Sequence, residues 1–226
     1  MNRLFITTIL SSVAAISILI TWNTVKEDRE YRRLLSVGDV TLATNQTFEA
    51  IEAFSGALAI RPDSTIAYLK RGNAYKHRGE LTAALRDLEE AVNLSPSFTE
   101  ALELLGDLNV ETGNQKQAIK HYLAFTRVDN QSIRALHKLA TSYYWIGEIE
   151  KSIETTRQVI EINENLADAH HLLGLCLREL GQIKEAELSF KRALKIDPSK
   201  ISTTNELTSL LNIASTIQKQ PPAISK

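Results

Sequence analysis

The sequence predicts an all-α fold, a solenoid of five stacked helix-turn-helix units. The first observation is a strict period: Gly38, Gly72, Gly106, Ala140 and Gly174 follow one another at one constant interval, without insertion or deletion. The second is composition, because only nine glycines and five prolines in 226 residues leave little room for long loops. A unit that recurs with such a period cannot bury its apolar face alone, so neighbouring units must stack.

The overall charge argues against general binding to nucleic acid, and the cysteine content excludes an intrachain disulfide. The net charge is -1, from 26 basic and 27 acidic side chains, so the chain offers no general attraction to nucleic acid. The one cysteine, Cys176, excludes an intrachain disulfide. It lies on the apolar side of a predicted helix, and we expect a buried core residue rather than a reactive thiol.

Residues 1–25 are predicted to form a single-pass N-terminal membrane anchor. The segment Leu4–Trp22 contains no charged residue. A helix of this length spans about 28 Å, close to the ~30 Å hydrocarbon core of a bilayer. Trp22 stands at its end, where an amphipathic ring suits the headgroup level. Residues 4–22 would therefore make the membrane contact.

Two alternatives concern this anchor. Cleavage as a signal peptide at Ala14–Ala15 would leave an apolar run exposed on the mature chain, so an uncleaved anchor is the favoured interpretation. The side of the membrane stays open, because the basic residues that follow the anchor are mixed with acidic ones. Residues 26–30 are assigned to a juxtamembrane linker that is helix-compatible and continues the anchor helix into the first repeat.

The repeat region comprises five units, 31–64, 65–98, 99–132, 133–166 and 167–200. Small residues recur at positions 8 and 20 of the unit, which lets two antiparallel helices approach closely. A bulky residue at position 24 is expected to fill the space beside that contact. Position 15 is glycine in four units, where the turn between helices requires φ > 0. Proline at position 32 of three units is expected to end the second helix.

The segments Tyr68–Tyr75 and Ala186–Pro198 carry these residues in a form that resembles the first and second helices of the tetratricopeptide repeat (TPR) family. The resemblance covers about three quarters of the chain. It implies a right-handed α-solenoid. The fourth unit departs most from the pattern, because it lacks the usual Gly, Ala, Phe and Pro. We therefore expect its helices to pack less regularly than those of the other units. Residues 201–218 are predicted to form a capping helix, and residues 219–226 a flexible tail.

The resemblance also implies a groove, lined by the first helices, that binds protein or peptide partners. An extended or helical peptide is expected across repeats two to four, anchored on Tyr144 and Trp145, with alternating charge setting its register. The alternative is that Tyr144 and Trp145 pack against the next repeat. Only three of the five residues of the family's carboxylate clamp are present, so that mode is not expected. The candidate groove residues are Lys70, Asn73, Lys76, His77, Glu103, Asp107, Arg134, His137, Lys138, Thr141, Tyr144, Trp145, His171 and Arg178.

No catalytic, metal-binding or phosphate-binding motif occurs, so neither enzyme activity, a cofactor, a metal nor a small-molecule substrate is expected. The adjacent His170 and His171 would point about 100° apart on a helix and could not easily share a metal. The expected function is that of a membrane-anchored scaffold that binds proteins through its groove. The alternatives are a non-catalytic accessory subunit of a membrane-associated enzyme or envelope assembly complex, and a self-associating structural protein.

Overall fold

The computed structural model describes the backbone of residues 2–219 and the side chains of residues 16, 17 and 19–212. All the secondary structure of this described backbone is α-helical, which confirms the predicted fold class. The helices are α1 (Asn2–Ala43), α2 (Thr47–Ile60), α3 (Thr65–Arg78), α4 (Leu81–Leu94), α5 (Thr99–Glu111), α6 (Gln115–Val128), α7 (Ile133–Trp145), α8 (Ile149–Ile162), α9 (Ala167–Glu179), α10 (Ile183–Ile196) and α11 (Ile201–Lys219).

The helix starts recur with the period of the sequence. Helices α3, α5, α7 and α9 each begin at the first residue of a repeat unit, and α2, α4, α6, α8 and α10 each begin at the seventeenth. The first unit differs, because α1 runs through its start without a break. The period therefore specifies where each helical hairpin begins.

Within a unit, the two helices interlock at positions 8 and 24. A Cβ atom added to Gly38, Gly106 or Gly174 would lie 2.3, 2.4 or 2.6 Å from a ring carbon of the aromatic residue at position 24. Real Cβ atoms do not approach carbon so closely, so the ring occupies the place of the missing side chain. The residue at position 24 thus fills the contact itself, whereas the sequence analysis had placed it beside that contact.

The fourth unit keeps this packing with different residues. Ala140 at position 8 and Thr156 at position 24 are both fully buried. The extra methyl group of Ala140 is accommodated because position 24 of this unit carries the smaller Thr156 in place of an aromatic ring. Ser152 at position 20 donates its hydroxyl to the Ala140 carbonyl oxygen at 2.8 Å. Helices α7 and α8 accordingly occupy the same positions in their unit as the other helix pairs.

The turns between the paired helices have the predicted left-handed residue. Gly79, Gly113, Gly147 and Gly181 have φ between 72° and 83°. In the first unit Asn45 occupies the same position with φ 62°, which the sequence analysis did not anticipate. Asparagine is one of the few non-glycine residues that adopt this conformation readily.

The second helices all end at position 30, with or without proline two residues later. The prediction that proline ends them is therefore incomplete. An Asx turn follows the second helix of the last three units, with or without proline: Asp129 accepts a hydrogen bond from the backbone N–H of Gln131 at 3.1 Å, Asn163 accepts one from Asn165 at 2.9 Å, and Asp197 accepts one from Ser199 at 3.0 Å. Such a side chain holds the backbone in a turn that cannot continue the helix.

The chain forms two compact units, the first ending at Ala101 and the second beginning at Leu102. In the first compact unit, α1 packs on α2 and α3 around Tyr31, Phe54 and Leu58. The Tyr31 hydroxyl lies 2.6 Å from Ser64 Oγ, and Asp28 pairs with Arg61. Residues 26–30, assigned to a linker from the sequence, therefore lie within α1 and contact the repeat region.

The second unit contains a core that α11 completes. Leu210 of α11 is fully buried in a cluster with Leu172, Cys176 and Phe190. Cys176 is a fully buried, free cysteine, as predicted. Burial raises the pKa of its thiol, and its Sγ donates to Ser152 Oγ at 3.2 Å. This cysteine therefore packs the core.

No helix within the part of the chain searched for membrane spans is long and apolar enough to cross a bilayer. Most of the predicted anchor, Leu4–Trp22, lies outside the residues whose side chains are described. Among those that are described, Leu19, Ile20 and Trp22 are exposed. Residues 220–226 of the predicted tail also lie outside the described residues.

Candidate functional site

The candidate groove residues fall into two groups, one in each compact unit. Each group lies on first helices of the repeats, as the resemblance implied. The first unit holds Lys70, Asn73, Lys76 and His77 on α3. The second unit holds Glu103 and Asp107 on α5, Arg134, His137, Lys138, Thr141, Tyr144 and Trp145 on α7, and His171 and Arg178 on α9.

In the first compact unit, an acidic residue of the first repeat pairs with one of the basic candidates of the second repeat. Lys70 Nζ lies 2.6 Å from Asp39 Oδ1 on α1. Asn73 and Lys76 are half-buried, and His77 is exposed. Asp39 was not among the residues predicted from the sequence, although the same acidic-to-basic spacing recurs at Asp107 and Lys138.

In the second unit the charged candidates pair with one another between α5 and α7. Arg134 Nη2 lies 3.0 Å from Glu103 Oε2, and Lys138 Nζ lies 2.9 Å from Glu103 Oε1 and 2.6 Å from Asp107 Oδ2. Tyr122 of α6 donates its hydroxyl to Asp107 at 2.7 Å, and burial, followed by this bond, raises the pKa of Tyr122. The charges expected to attract a partner are therefore satisfied within the chain.

The two neighbouring aromatic residues of α7 have different environments. Tyr144 is half-buried against the cluster that contains Leu172 and Cys176, and burial raises the pKa of its hydroxyl. Trp145 is 68% exposed, with its ring edge-on to Tyr144 at a centroid distance of 5.6 Å. Tyr144 thus packs against the next repeat, the alternative left open above, while Trp145 stays available for contact.

Trp145 borders a cavity of about 400 Å³ between α5, α6 and α7. Val110 and Trp145 give this cavity apolar walls, and the Asp107–Lys138 pair and Thr141 give it a polar one. The Oε1 atom of Gln115, which also lines the cavity, is buried and makes no hydrogen bond within the described part of the chain. An open cavity with an exposed indole ring at its edge can accept an apolar side chain. We call it the Trp145 cavity.

In the fifth repeat, α9 contacts α11, which occupies the place that the first helix of a further repeat would have. His171 Nδ1 lies 2.9 Å from Thr203 Oγ1, and Arg178 pairs with Glu206 and with Glu179. The sequence analysis treated α11 only as a cap and did not single out Thr203 or Glu206. Because Ile201 follows Ala167 at the interval that separates the starts of successive repeats, the period itself could have indicated these contacts.

Within the described residues there is no group of three or more His, Cys, Asp or Glu side chains that could hold a metal ion. His170 Nε2 lies 2.9 Å from the Glu164 carbonyl oxygen, whereas His171 contacts Thr203. The two adjacent histidines therefore have separate partners.

Comparison with known families supports the pattern seen in the sequence and in the helices. Residues 167–200 and 134–165 match two families described as "Tetratricopeptide repeat", and residues 72–113 match one described as "TPR repeat". A TPR repeat-containing protein of Methanocaldococcus jannaschii is 33% identical over 116 residues, which cover 50% of this chain and 20% of that protein. The tetratricopeptide repeat and J domain-containing co-chaperone DNJ1 of Cryptococcus neoformans is 27% identical over 193 residues, 80% of this chain and 35% of its own length. The chain thus spans about a third or less of these relatives.

Solved structures have the same architecture. The crystal structure of MamA protein superimposes with a TM-score of 0.70 at 26% identity, covering 77% of this chain and 96% of that chain. YrrB, described as "a TPR protein with an unusual peptide-binding site", gives a TM-score of 0.71 at 17% identity, covering 81% and 95%. At this identity, the likeness to YrrB shows the fold alone.

Proposed function

This chain is a tetratricopeptide-repeat protein, and from that premise we propose that it is a non-catalytic module that binds a segment of a partner protein at the Trp145 cavity. The observation that carries the proposal is the 68% exposure of Trp145 beside an open cavity of about 400 Å³. Tryptophan is among the residues that contribute most to binding energy at protein interfaces. A partner side chain in this cavity would cover the indole ring and Val110 together.

The paired charges around the cavity favour an apolar anchor on the partner. Glu103 and Asp107 already accept Arg134 and Lys138, so a charged partner side chain would have to displace an existing ion pair. Burial of apolar surface needs no such exchange and provides about 25 cal/mol per Å². The partner segment is therefore expected to present a leucine-like or aromatic side chain, with any charges placed outside the cavity.

The test is photo-crosslinking of the full chain in its own membranes, with a photoreactive residue in place of Val110. We expect crosslinked adducts with a partner, and their loss when Trp145→Ala is added. Ile201→Ala, which removes another exposed side chain of the same compact unit, is the matched control and should leave the adducts unchanged. Adducts that persist at equal yield without the indole ring would refute the cavity as the binding site. The identity of the partner would also decide whether the chain serves as an accessory subunit of an enzyme.

We also propose that the N-terminal part of α1 anchors the chain in a membrane. The uncharged segment Leu4–Trp22 and the exposure of Leu19, Ile20 and Trp22 support this proposal. Alkaline extraction should leave the full chain in the membrane fraction and release a variant lacking residues 2–25. An intact mass that corresponds to a chain beginning after Ala15 would instead show that a signal peptide is cleaved. Protease accessibility in sealed vesicles would then establish the side of the membrane.

A further inference from the structure

The second helices of the second compact unit carry opposite charges at equivalent positions. Positions 18, 22 and 29 of the repeat are Glu150, Glu154 and Glu161 on α8, which we call the acidic stripe. On α10, Lys184 and Lys195 occupy positions 18 and 29, Lys191 lies between them, and together they form the basic stripe. Residues spaced by four, seven and eleven lie on one face of a helix, and Arg157 lies on the same face of α8, between Glu154 and Glu161. All six side chains are exposed.

The charged side chains on the first helices pair with one another between repeats, whereas those of the two stripes do not. Within the described part of the chain, none of the three glutamates forms an ion pair, and neither do Lys184 and Lys195. Lys191 pairs only with Glu187 of its own helix, at 2.5 Å. Among the described residues, α8 and α10 therefore present stripes of opposite net charge whose members form no ion pair from one helix to the other.

An apolar groove lies beside the acidic stripe. A cavity of about 560 Å³ is bordered by the three glutamates of the acidic stripe and by Arg157, and it has Ile153, Leu177 and Leu180 on its walls. Leu180 is 40% exposed there. Within the basic stripe, at position 22 of α10, Leu188 is 67% exposed. Helix α8 thus carries three glutamates and one arginine around an apolar groove, and α10 carries an apolar side chain among lysines.

We propose that this face binds a second copy of the chain, with α10 of one copy lying along α8 of the other. Leu188 of each copy enters the apolar groove of the other, and the basic stripe meets the acidic stripe. Each copy carries both elements, so the contact is reciprocal about a two-fold axis, the commonest symmetry of homo-oligomers. The charges favour the pairing of α8 with α10, because the three glutamates outnumber Arg157 on α8 and the three lysines outnumber Glu187 on α10, so that like pairs would repel on balance. The proposal uses a surface other than the Trp145 cavity and goes beyond the function proposed above.

The test is a reciprocal charge exchange in the full chain in detergent, with the dimer measured by analytical ultracentrifugation. One variant carries Glu150→Lys, Glu154→Lys and Glu161→Lys, and the other carries Lys184→Glu, Lys191→Glu and Lys195→Glu. Each variant alone should dimerise about a hundredfold more weakly than the wild type, because both contacts of the dimer become like-charged. An equimolar mixture of the two should dimerise again, since both contacts regain opposite charges. Dimerisation of the wild type should weaken as salt rises.

Two controls separate this interface from other routes of association. Lys116→Glu with Lys120→Glu reverses the equivalent positions of α6 and should leave dimerisation unchanged. Leu188→Ala should weaken the dimer, whereas Ile201→Ala, which removes an equally exposed side chain of α11, should not. Restoration in the mixture also shows that both triple variants are folded.

A wild type that is monomeric at every concentration tested would overturn the proposal. Dimers that persist in both triple variants would also overturn the proposal, because they would indicate association through another element such as α1. A mixture of the two variants that stays monomeric would overturn it as well. Trp145→Ala leaves this face intact, so loss of partner crosslinking with an unchanged dimer would separate the two proposals.

Discussion

At the scale of single residues, the core of the fourth repeat contains hydroxyl groups with very different environments. Ser152 donates to the Ala140 carbonyl oxygen and accepts from Cys176. The hydroxyl of the fully buried Thr156 makes no hydrogen bond within the described part of the chain. A buried polar group without a partner loses its hydration and gains nothing in return. The Ser152 hydroxyl therefore has both a hydrogen-bond donor and an acceptor as partners, whereas the buried Thr156 hydroxyl destabilises the fold locally.

Thr156→Val should raise the free energy of unfolding by about 1 kcal/mol, because it replaces the unpaired hydroxyl with a methyl group of similar size. Urea denaturation should show a higher midpoint with an unchanged slope. The neighbouring Thr155 donates its hydroxyl to the Lys151 carbonyl oxygen at 2.8 Å, so Thr155→Val is the control and should give no gain. A lower midpoint for the Thr156 variant would show that its hydroxyl has a partner.

At the scale of the helical hairpin, a buried ion pair joins α3 to α4. Arg71 Nε and Nη2 donate to the two carboxylate oxygens of Asp87 at 2.7 and 2.9 Å, and Nη1 donates to Ser55 at 3.1 Å. The Asp87 side chain is only 5% exposed. The guanidinium also lies near the rings of Tyr68 and Tyr75, and its hydrogen bonding to Asp87 is the main cause that raises the pKa of Arg71.

Arg71→Ala should lower the free energy of unfolding by about 3 kcal/mol or more, because it leaves a buried carboxylate without its partner. The double variant Arg71→Ala, Asp87→Ala should lose less than the single one, since the uncompensated charge is removed as well. Arg78→Ala is the control: Arg78 pairs with Glu80 at the surface, and such pairs contribute about 1 kcal/mol at most. Equal losses in the Arg71 and Arg78 variants, measured by urea denaturation, would contradict this account.

At the scale of the whole molecule, three histidines link stability to pH. Burial lowers the pKa of His121, His137 and His171 below the usual value of 6.5. Below that value the unfolded chain binds more protons than the folded one, so the free energy of unfolding decreases as the pH falls. The stabilisation is complete above the unfolded pKa and is lost as the histidines of the unfolded chain become protonated.

Thermal or urea unfolding between pH 7 and pH 5.5 should therefore show decreasing stability. The double variant His137→Gln, His171→Gln should reduce the slope, because it removes two of the groups responsible. Stability that rises on acidification over this range would indicate that these histidines bind protons more readily in the folded chain.

The order and the limits of the helices could be predicted from the sequence, because both depend on local signals that recur in every repeat. Small residues at positions 8 and 20, glycine at position 15 and turn-forming residues after position 30 act within a single hairpin. Even the exceptions follow local chemistry, since Asn45 adopts the left-handed conformation and Asp129 forms an Asx turn. An all-helical repeat fold, its family and its buried cysteine were therefore accessible without coordinates.

The candidate site depended on contacts that local signals do not specify. The pairs Lys70–Asp39 and Lys138–Asp107 join residues of successive repeats, and they form only when those repeats stack in one register. Tyr144 and Trp145 are neighbours that point about 100° apart on a helix, so the same register decides which is buried. The sequence by itself determined which residues line the first helices. The tertiary structure alone decided that their charges satisfy one another and that Trp145 stays exposed, because both outcomes depend on the distance between side chains from different repeats.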